Sequence, residues 1–178
     1  MKPAAALIAI LLAAPAQGQT VAEPDGYRGE PYRAPVPATL VGAQVIDTAR
    51  AMDLHGQGVP FLDVLPRKKR PENLPPGTLW VEEVHRTIPG AVWLYDTGYQ
   101  ELAPAETARL TEGLAAATHG DPSAPVVIFC KADCWMSWNA AKRAVALGYG
   151  AVNWYPEGVD GWTAGGGELV VATPDPLP

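Results

Sequence analysis

The residues best suited to chemistry are the two cysteines of the chain, Cys130 and Cys134, which lie four positions apart. The apolar run 124–129 ends at Cys130 and a helix-like pattern follows, so Cys130 is predicted at the junction of a strand and a helix. Free backbone N–H groups and the positive end of a helix dipole stabilise a thiolate at such a junction. We therefore predict Cys130 as the nucleophile and Cys134 as the thiol that resolves an adduct on it. A buried structural Cys130 and a static Cys130–Cys134 disulfide are the alternatives.

The sequence carries no metal or cofactor motif. The chain has no third cysteine and its three histidines are scattered, which excludes a tetrahedral cysteine zinc site. The glycines at 165–167 lack the strand-to-helix setting of a dinucleotide-binding fingerprint. We therefore expect neither a metal ion nor a cofactor.

The first 18 residues have the order of a secretory signal peptide: Lys2, an apolar run from Ala4 to Ala14, and small residues up to Gly18. The run is too short to span a bilayer, although an uncleaved N-terminal anchor is the alternative. Cleavage would leave 12 basic and 19 acidic residues, a net charge of −7, which argues against nucleic-acid binding. We predict a periplasmic protein, with no membrane contact after cleavage, in an oxidising compartment.

Predicted strands and helices alternate along the rest of the chain. The predicted helices span 40–54, 103–120 and 137–148. The predicted strands lie within 58–66, 78–84, 88–95, 124–129 and 151–155. Because the strongest strand is apolar throughout, the sheet should be largely parallel and covered on both faces. Ligands of such sheets bind beyond the C-terminal ends of the strands, where Cys130 is predicted to lie.

Proline-rich segments bound the predicted domain. Residues 19–38 contain four prolines and are predicted to form an extended lead-in rather than a packed element. Residues 39–172 form the predicted domain, and 173–178 a Pro-rich tail.

The stretch VVIFC…S…NAAKRAVALGYGAVNWYPEGVDGW resembles the C-terminal half of a rhodanese domain, and GVPFLDVLPR and IPGAVWL resemble its earlier segments. The resemblance implies an α/β fold, a rhodanese-like three-layer domain with a central, mostly parallel sheet flanked by helices. More narrowly, DCWMSWNAAKR with a signal peptide is similar to the PQQ-dependent catabolism-associated CXXCW-motif proteins, although three residues rather than two separate the cysteines here. That similarity implies a shared pathway, since nothing in the chain looks like a pocket for the quinone PQQ.

The loop after Cys130 departs from the usual rhodanese pattern, in which a six-residue loop ends in Arg and Ser follows. Ser137 falls into register only if the loop, 130–136, is one residue longer, and Met136 then replaces the Arg. Lys131 is the only cation within the loop, which disfavours phosphatase activity and efficient thiosulfate cleavage. The resemblance implies substrate binding by the loop and by an Arg that follows the earlier strand. The substrate-binding candidates are Lys131, Ala132, Asp133, Trp135, Met136, Ser137 and Arg67.

Several neighbouring residues carry further expectations. Trp135 is predicted to be exposed or to face a ligand, while Trp138 and Trp154 are predicted in the core. His85 is expected to be a strand-end histidine without a chemical role. The basic run 67–70 should lie on the same rim as Cys130, where it either steers an anionic partner or is a solvated loop.

Two classes of function follow from these observations. In the first, an exported rhodanese-like protein uses Cys130 for sulfur transfer or thiol-disulfide chemistry, with Cys134 as the resolving thiol. The resemblance places it with periplasmic PQQ-dependent alcohol oxidation, where its partner is a small sulfur donor or a protein of the PQQ dehydrogenase and cytochrome c system. In the second, a catalytically silent rhodanese fold with a static disulfide serves as a docking or chaperone module for a periplasmic dehydrogenase or cytochrome. Whether the chain is a sulfurtransferase, a thiol-disulfide oxidoreductase or no enzyme stays open at this point.

Overall fold

A computed structural model describes residues 21–175, so the predicted signal peptide and the last three residues of the tail lie outside the described part. The strands are β1 (Gln44–Val45), β2 (Phe61–Asp63), β3 (Arg86–Thr87), β4 (Val92–Trp93), β5 (Val126–Phe129), β6 (Val152–Tyr155) and β7 (Val170–Val171). The helices are α1 (Thr48–Gly56), α2 (Pro104–Ala117), α3 (Trp135–Ala146) and α4 (Gly158–Ala164). None of the described helices is long and apolar enough to cross a membrane.

Five strands form one sheet in the order β1-β6-β5-β2-β4, and each neighbouring pair is parallel. Strands β3 and β7 form a separate antiparallel pair. One face of the large sheet packs against α2 and α3, and the other against α1 and α4. Successive strand residues point to opposite faces, so Ile128 contacts the first layer and Phe129 the second. The predicted three-layer α/β fold with a parallel sheet is confirmed.

Two elements differ from the sequence prediction. Helix α1 begins at Thr48 rather than near Leu40, because the Asp47 carboxylate accepts a hydrogen bond from the Arg50 N–H at 2.8 Å and caps the helix. The residues before Asp47 form strand β1. The predicted strand 78–84 is not formed: it is irregular, and Leu79 is 88% exposed. In the described part of the chain no neighbouring strand pairs with this segment, so its residues do not join a sheet.

Residues 28–34 of the lead-in, which was predicted to be extended rather than packed, lie across the Cys loop and α3; we call this segment the strap. The Trp135 N–H donates to the Tyr32 carbonyl at 2.9 Å, and the Ala34 N–H donates to the Asp133 carbonyl at 3.1 Å. The amide of buried Asn139 exchanges two hydrogen bonds with the backbone of Arg28, at 2.9 and 2.8 Å. The strap therefore becomes part of the packed structure.

We expect Asn139→Ala to loosen the strap and to lower the free energy of unfolding by about 1–3 kcal/mol. The substitution leaves the Arg28 backbone and the Gly98 carbonyl, which also accepts from Asn139 at 2.9 Å, without partners. Chemical denaturation measures the stability, and hydrogen exchange of the Trp135 amide measures the strap. Asn153→Ala is the matched control, since this buried amide bonds only to carbonyls at the sheet. Equal amide exchange at Trp135 in both variants would contradict the role of Asn139.

Candidate functional site

The two cysteines lie at the C-terminal edge of the sheet, on either side of a tight loop. Cys130 follows β5 directly, and its side chain is fully buried. Its carbonyl accepts a hydrogen bond from the Val159 N–H at 3.1 Å, which ties the start of the loop to α4. The Ala132 N–H donates to an Asp160 carboxylate oxygen at 3.0 Å, so the loop is held against the same helix a second time. Both cysteines are free thiols in this structure.

Helix α3 begins at Trp135, two residues earlier than predicted, and Cys134 is its N-cap residue. The helix N-terminus therefore lies at Cys134, with residues 131–133 between it and Cys130. Serine 137 strengthens this arrangement: its hydroxyl donates to the Cys134 carbonyl and accepts from the Trp154 indole N–H, both at 3.0 Å. Ser137 is fully buried, so its side chain positions Cys134 and is not free for a substrate.

The electrostatic environment distinguishes the two thiols. The pKa of Cys134 falls to about 7, chiefly because its sulfur accepts a hydrogen bond from the Cys130 thiol. Burial raises this pKa, whereas the N–H groups of Met136, Lys131 and Ser137 lower it further. Burial raises the pKa of Cys130, and the neighbouring Cys134 and the Asp63 charge raise it further. The Lys131 N–H acts on both sulfurs, whereas the Met136 and Ser137 N–H groups act on Cys134, so this environment favours a thiolate on Cys134 rather than on the predicted Cys130.

Cys134 and Met136 line an open pocket of about 850 Å³, and Cys130 is not among its lining residues. The strap contributes Tyr32 and Arg33 to one side, and Lys131 of the Cys loop lies on the wall. Within residues 21–175, neither Arg33 nor Lys131 has a carboxylate in ion-pair distance. Of the two cysteines, Cys134 alone therefore borders this pocket, together with the cations Arg33 and Lys131.

The backbone of the loop is already engaged, although it was predicted to hold an adduct. Ala132 donates to Asp160 and Trp135 donates to Tyr32, while the N–H groups of Lys131, Met136 and Ser137 act on the Cys134 sulfur. Asp133 has a left-handed backbone (φ 51°) and offers its carbonyl to Ala34 of the strap. The N–H groups that act on Cys134 therefore stabilise charge on its sulfur rather than on a separate oxyanion.

Trp135 was predicted to be exposed or to face a ligand, but it is buried and does not line the Cys134 pocket. The side chain is only 3% exposed, because the strap covers it and the Arg28 guanidinium lies 5.7 Å from its ring. On its other side it contacts Trp138 edge-on, with ring centroids 5.4 Å apart. Trp138 and Trp154 are fully buried in the core, as predicted.

The structure does not bring Arg67 to the Cys134 pocket. Its guanidinium forms two hydrogen bonds with Glu82, at 2.5 and 2.9 Å, and lines a different pocket. The rest of the basic run is also partly neutralised, since Lys68 pairs with Glu83 and Lys69 lies 3.2 Å from Asp96. Only Lys68 of this run reaches the wall of the Cys134 pocket. Arg67 and Lys69 therefore bond to nearby carboxylates instead of lining the Cys134 pocket.

His85 received no role from the sequence, but it lines the Cys134 pocket. Its Nε2 lies 2.7 Å from an Asp63 carboxylate oxygen, and the same oxygen accepts from the Thr87 hydroxyl at 2.6 Å. Asp63 is fully buried, and a buried carboxylate requires such partners. The available sequence signal was Asp63 itself, because an acidic residue inside the predicted buried strand 58–66 needs a polar partner. Among residues 21–175, no group of three His, Cys, Asp or Glu could hold a metal ion.

The rate of Cys134 alkylation should rise with pH with a midpoint near 7, since only the thiolate reacts. In a Cys130→Ala variant the midpoint should move up, because the hydrogen bond that contributes most to the low pKa is lost. Stopped-flow iodoacetamide kinetics measure both midpoints, with the label located by peptide mass spectrometry. Unchanged midpoints in the two proteins would contradict the assigned cause.

Comparison with known proteins gives a family match and two similar folds. A family model described as Rhodanese-like domain matches residues 47–165. Thiosulfate sulfurtransferase from Pseudomonas aeruginosa is 18% identical, with a TM-score of 0.48, and the match covers 76% of this chain and 22% of that one. The polysulfide-sulfur transferase homodimer from Wolinella succinogenes is 18% identical, with a TM-score of 0.44 and coverage of 72% and 79%. The chain thus spans less than a quarter of the first of these proteins. No curated protein sequence matches the chain significantly.

Proposed function

The chain belongs to the rhodanese-like domain family, and from this we propose that it carries sulfur or exchanges disulfides through Cys134, with Cys130 as the resolving thiol. The observation that carries the proposal is the contrast between the thiols. Cys134 faces the pocket with its pKa lowered to about 7, and Cys130 lies buried behind it with its pKa raised. A low-pKa thiol attacks, and its buried neighbour acts after the first adduct has formed.

The sulfur-transfer step begins when the Cys134 thiolate attacks the outer sulfur of a sulfane donor such as thiosulfate. The new S–S bond forms as the donor's S–S bond breaks, and sulfite leaves with the electron pair. A persulfide remains on Cys134, and an acceptor thiolate that attacks its outer sulfur regenerates the Cys134 thiolate. Arg33 and Lys131 support the binding of an anionic donor, in place of the loop Arg that Met136 replaces.

The resolving step uses the second cysteine. Cys130 loses its proton and attacks the Cys134 sulfur, which forms the disulfide and releases hydrosulfide, or a partner thiolate if the adduct was a mixed disulfide. Two electrons from a dithiol partner protein then restore both thiols. The hydrogen bond between the two cysteines supports this step, since it brings the sulfurs into contact.

The biological setting is also part of the proposal. The order of residues 1–18 supports export to the periplasm, and DCWMSWNAAKR supports membership of the CXXCW-motif group linked to PQQ-dependent alcohol oxidation. The partner would then be a small sulfur donor or a periplasmic protein of the dehydrogenase and cytochrome c system. N-terminal sequencing of the protein from a periplasmic fraction tests the export, with a new terminus near Gly18 expected.

Mass spectrometry of the reduced protein after treatment with thiosulfate or polysulfide tests the chemistry. We expect a persulfide on Cys134, located by trapping with iodoacetamide and peptide mapping. If neither donor forms an adduct on either cysteine, the proposal is wrong. A persulfide on Cys130 alone would instead identify Cys130 as the nucleophile, as predicted from the sequence.

The docking or chaperone module is the second candidate function. It is favoured by the engagement of the loop, because Ala132 and Trp135 no longer offer free N–H groups to an oxyanion. A redox titration separates the two candidates. A reduction potential near that of periplasmic oxidants supports exchange chemistry, whereas a potential well below the compartment's value supports a static disulfide.

A further inference from the structure

A second pocket, of about 400 Å³, lies beside the basic run and does not include either cysteine. Its lining residues include Lys69, Arg70, Trp80, Tyr95 and Arg109. Arg109, from helix α2, is only 2% exposed, although a buried arginine normally pairs with an anion. None of the functions considered for Cys134 uses this pocket.

The guanidinium of Arg109 is fixed in one plane and one orientation. Its Nη1 donates to the Tyr95 carbonyl at 3.0 Å, and its Cζ lies 3.5 Å from the centroid of the Tyr95 ring. Within residues 21–175, its Nε and Nη2 are buried without any hydrogen-bond partner. Nε–H and Nη2–H point from the same edge of a guanidinium, and this edge matches two oxygens of one carboxylate or phosphate group.

The carboxylates that line this pocket are occupied elsewhere. Glu82 bonds to Arg67, and Glu106 accepts from the Ala103 N–H at 2.8 Å at the start of α2. Asp96 lies 3.2 Å from Lys69 and also accepts from the Arg67 N–H at 3.1 Å. In the described part of the chain, no acidic side chain therefore pairs with the free edge of Arg109.

We propose that this pocket binds a small anion through the free edge of Arg109, and that the anion presents a carboxylate or phosphate group. Lys69 and Arg70 add positive charge, and the pocket is larger than one such group, so Trp80 can contact the body of an organic anion. Because the Nε and Nη2 atoms are buried, binding requires the pocket lining to shift, and the Arg67–Glu82 ion pair is the part of the lining that we expect to move. The side chains of Arg67 and Glu82 are each more than a third exposed, and exposed ion pairs contribute little stability.

Isothermal titration with benzoate and with inorganic phosphate, at constant ionic strength, tests the site in the full chain. We expect saturable binding of at least one probe, weakened about tenfold or more in Arg109→Lys, which keeps the charge but loses the two-donor edge. Arg50→Lys is the matched control, because this exposed arginine of α1 lines neither pocket, and it should leave the affinity unchanged. No binding of either probe, or equal binding by Arg109→Lys, would overturn the proposal.

A spectroscopic measurement decides the matter if Arg109→Lys does not fold. In the wild-type protein, the NMR signal of the Arg109 Nε–H should shift as the probe is added and its exchange with solvent should slow. A signal that does not move while the probe saturates the protein would place the anion elsewhere. Persulfide formation on Cys134 should proceed in the presence of the probe, so failure of one proposal leaves the other testable.

Discussion

A Cys134→Ser variant is expected to lose sulfur transfer by at least about a thousandfold, the scale of loss when a catalytic nucleophile is removed. A serine hydroxyl stays protonated at neutral pH, whereas the Cys134 pKa of about 7 leaves much of the thiol ionised. Thiosulfate-dependent transfer to a thiol acceptor, followed as sulfite release, measures the loss. The fold should survive, because serine is a favourable N-cap residue at the start of α3.

The partner variant Cys130→Ser should behave differently. It keeps the pocket-facing thiol, so a first adduct still forms on Cys134, but the disulfide cannot follow and the adduct accumulates. Single-turnover mass spectrometry distinguishes the two outcomes. Loss of the first adduct in Cys130→Ser, with retention in Cys134→Ser, would show that the buried thiol is the nucleophile after all.

Gly158→Ala is expected to lower the free energy of unfolding by about 3 kcal/mol or more. Gly158 has φ +52°, and a Cβ there would lie 2.3 Å from the Cys130 carbonyl oxygen and 2.7 Å from its carbon. Left-handed backbone costs about 1–2 kcal/mol for a residue with a side chain, and the collision with backbone adds to it. The contact cannot relax without moving the start of the Cys loop, which bonds to α4 at this point.

Gly166→Ala is the matched control for this effect. Gly166 also has positive φ, +90°, but a Cβ there meets nothing within 4 Å, so the variant reports backbone strain alone. Chemical denaturation should show a clearly larger loss for Gly158→Ala, and the Cys134 alkylation midpoint should move only in that variant. Similar losses in both variants would mean that the loop is not clamped against α4.

The fold was predictable because its strongest signals are local. The run 124–129 is apolar at every position, and its residues 126–129 form β5, which is buried on both faces in the covered parallel sheet. A strand was also predicted at 78–84, but in the described part of the chain no partner strand lies alongside it. Helix α1 was placed too early because apolar spacing extends through β1, and the capping bond of Asp47 decides the boundary.

Cys130 follows β5 at the edge of the sheet, as the apolar run before it predicted, but the environments of the two thiols were not predictable from spacing. Which thiol faces the helix terminus depends on whether α3 begins at Trp135 or at Ser137, a difference of two residues. The burial of Trp135 depends on the strap, which is about one hundred residues away in sequence. The pairing of His85 with Asp63 is likewise a tertiary contact between separate segments.

The strap has a practical consequence for the choice of expression boundaries. A fragment trimmed to the matched segment, 47–165, would lack both the strap and β1, which is the neighbour of β6 at the edge of the sheet. Such a fragment would uncover the indole of Trp135 and leave β6 with an unpaired edge, and both are recognised causes of self-association. Fragments expressed for solubility screens and activity assays should therefore begin no later than the first residues of the lead-in. The family resemblance itself begins well after these residues.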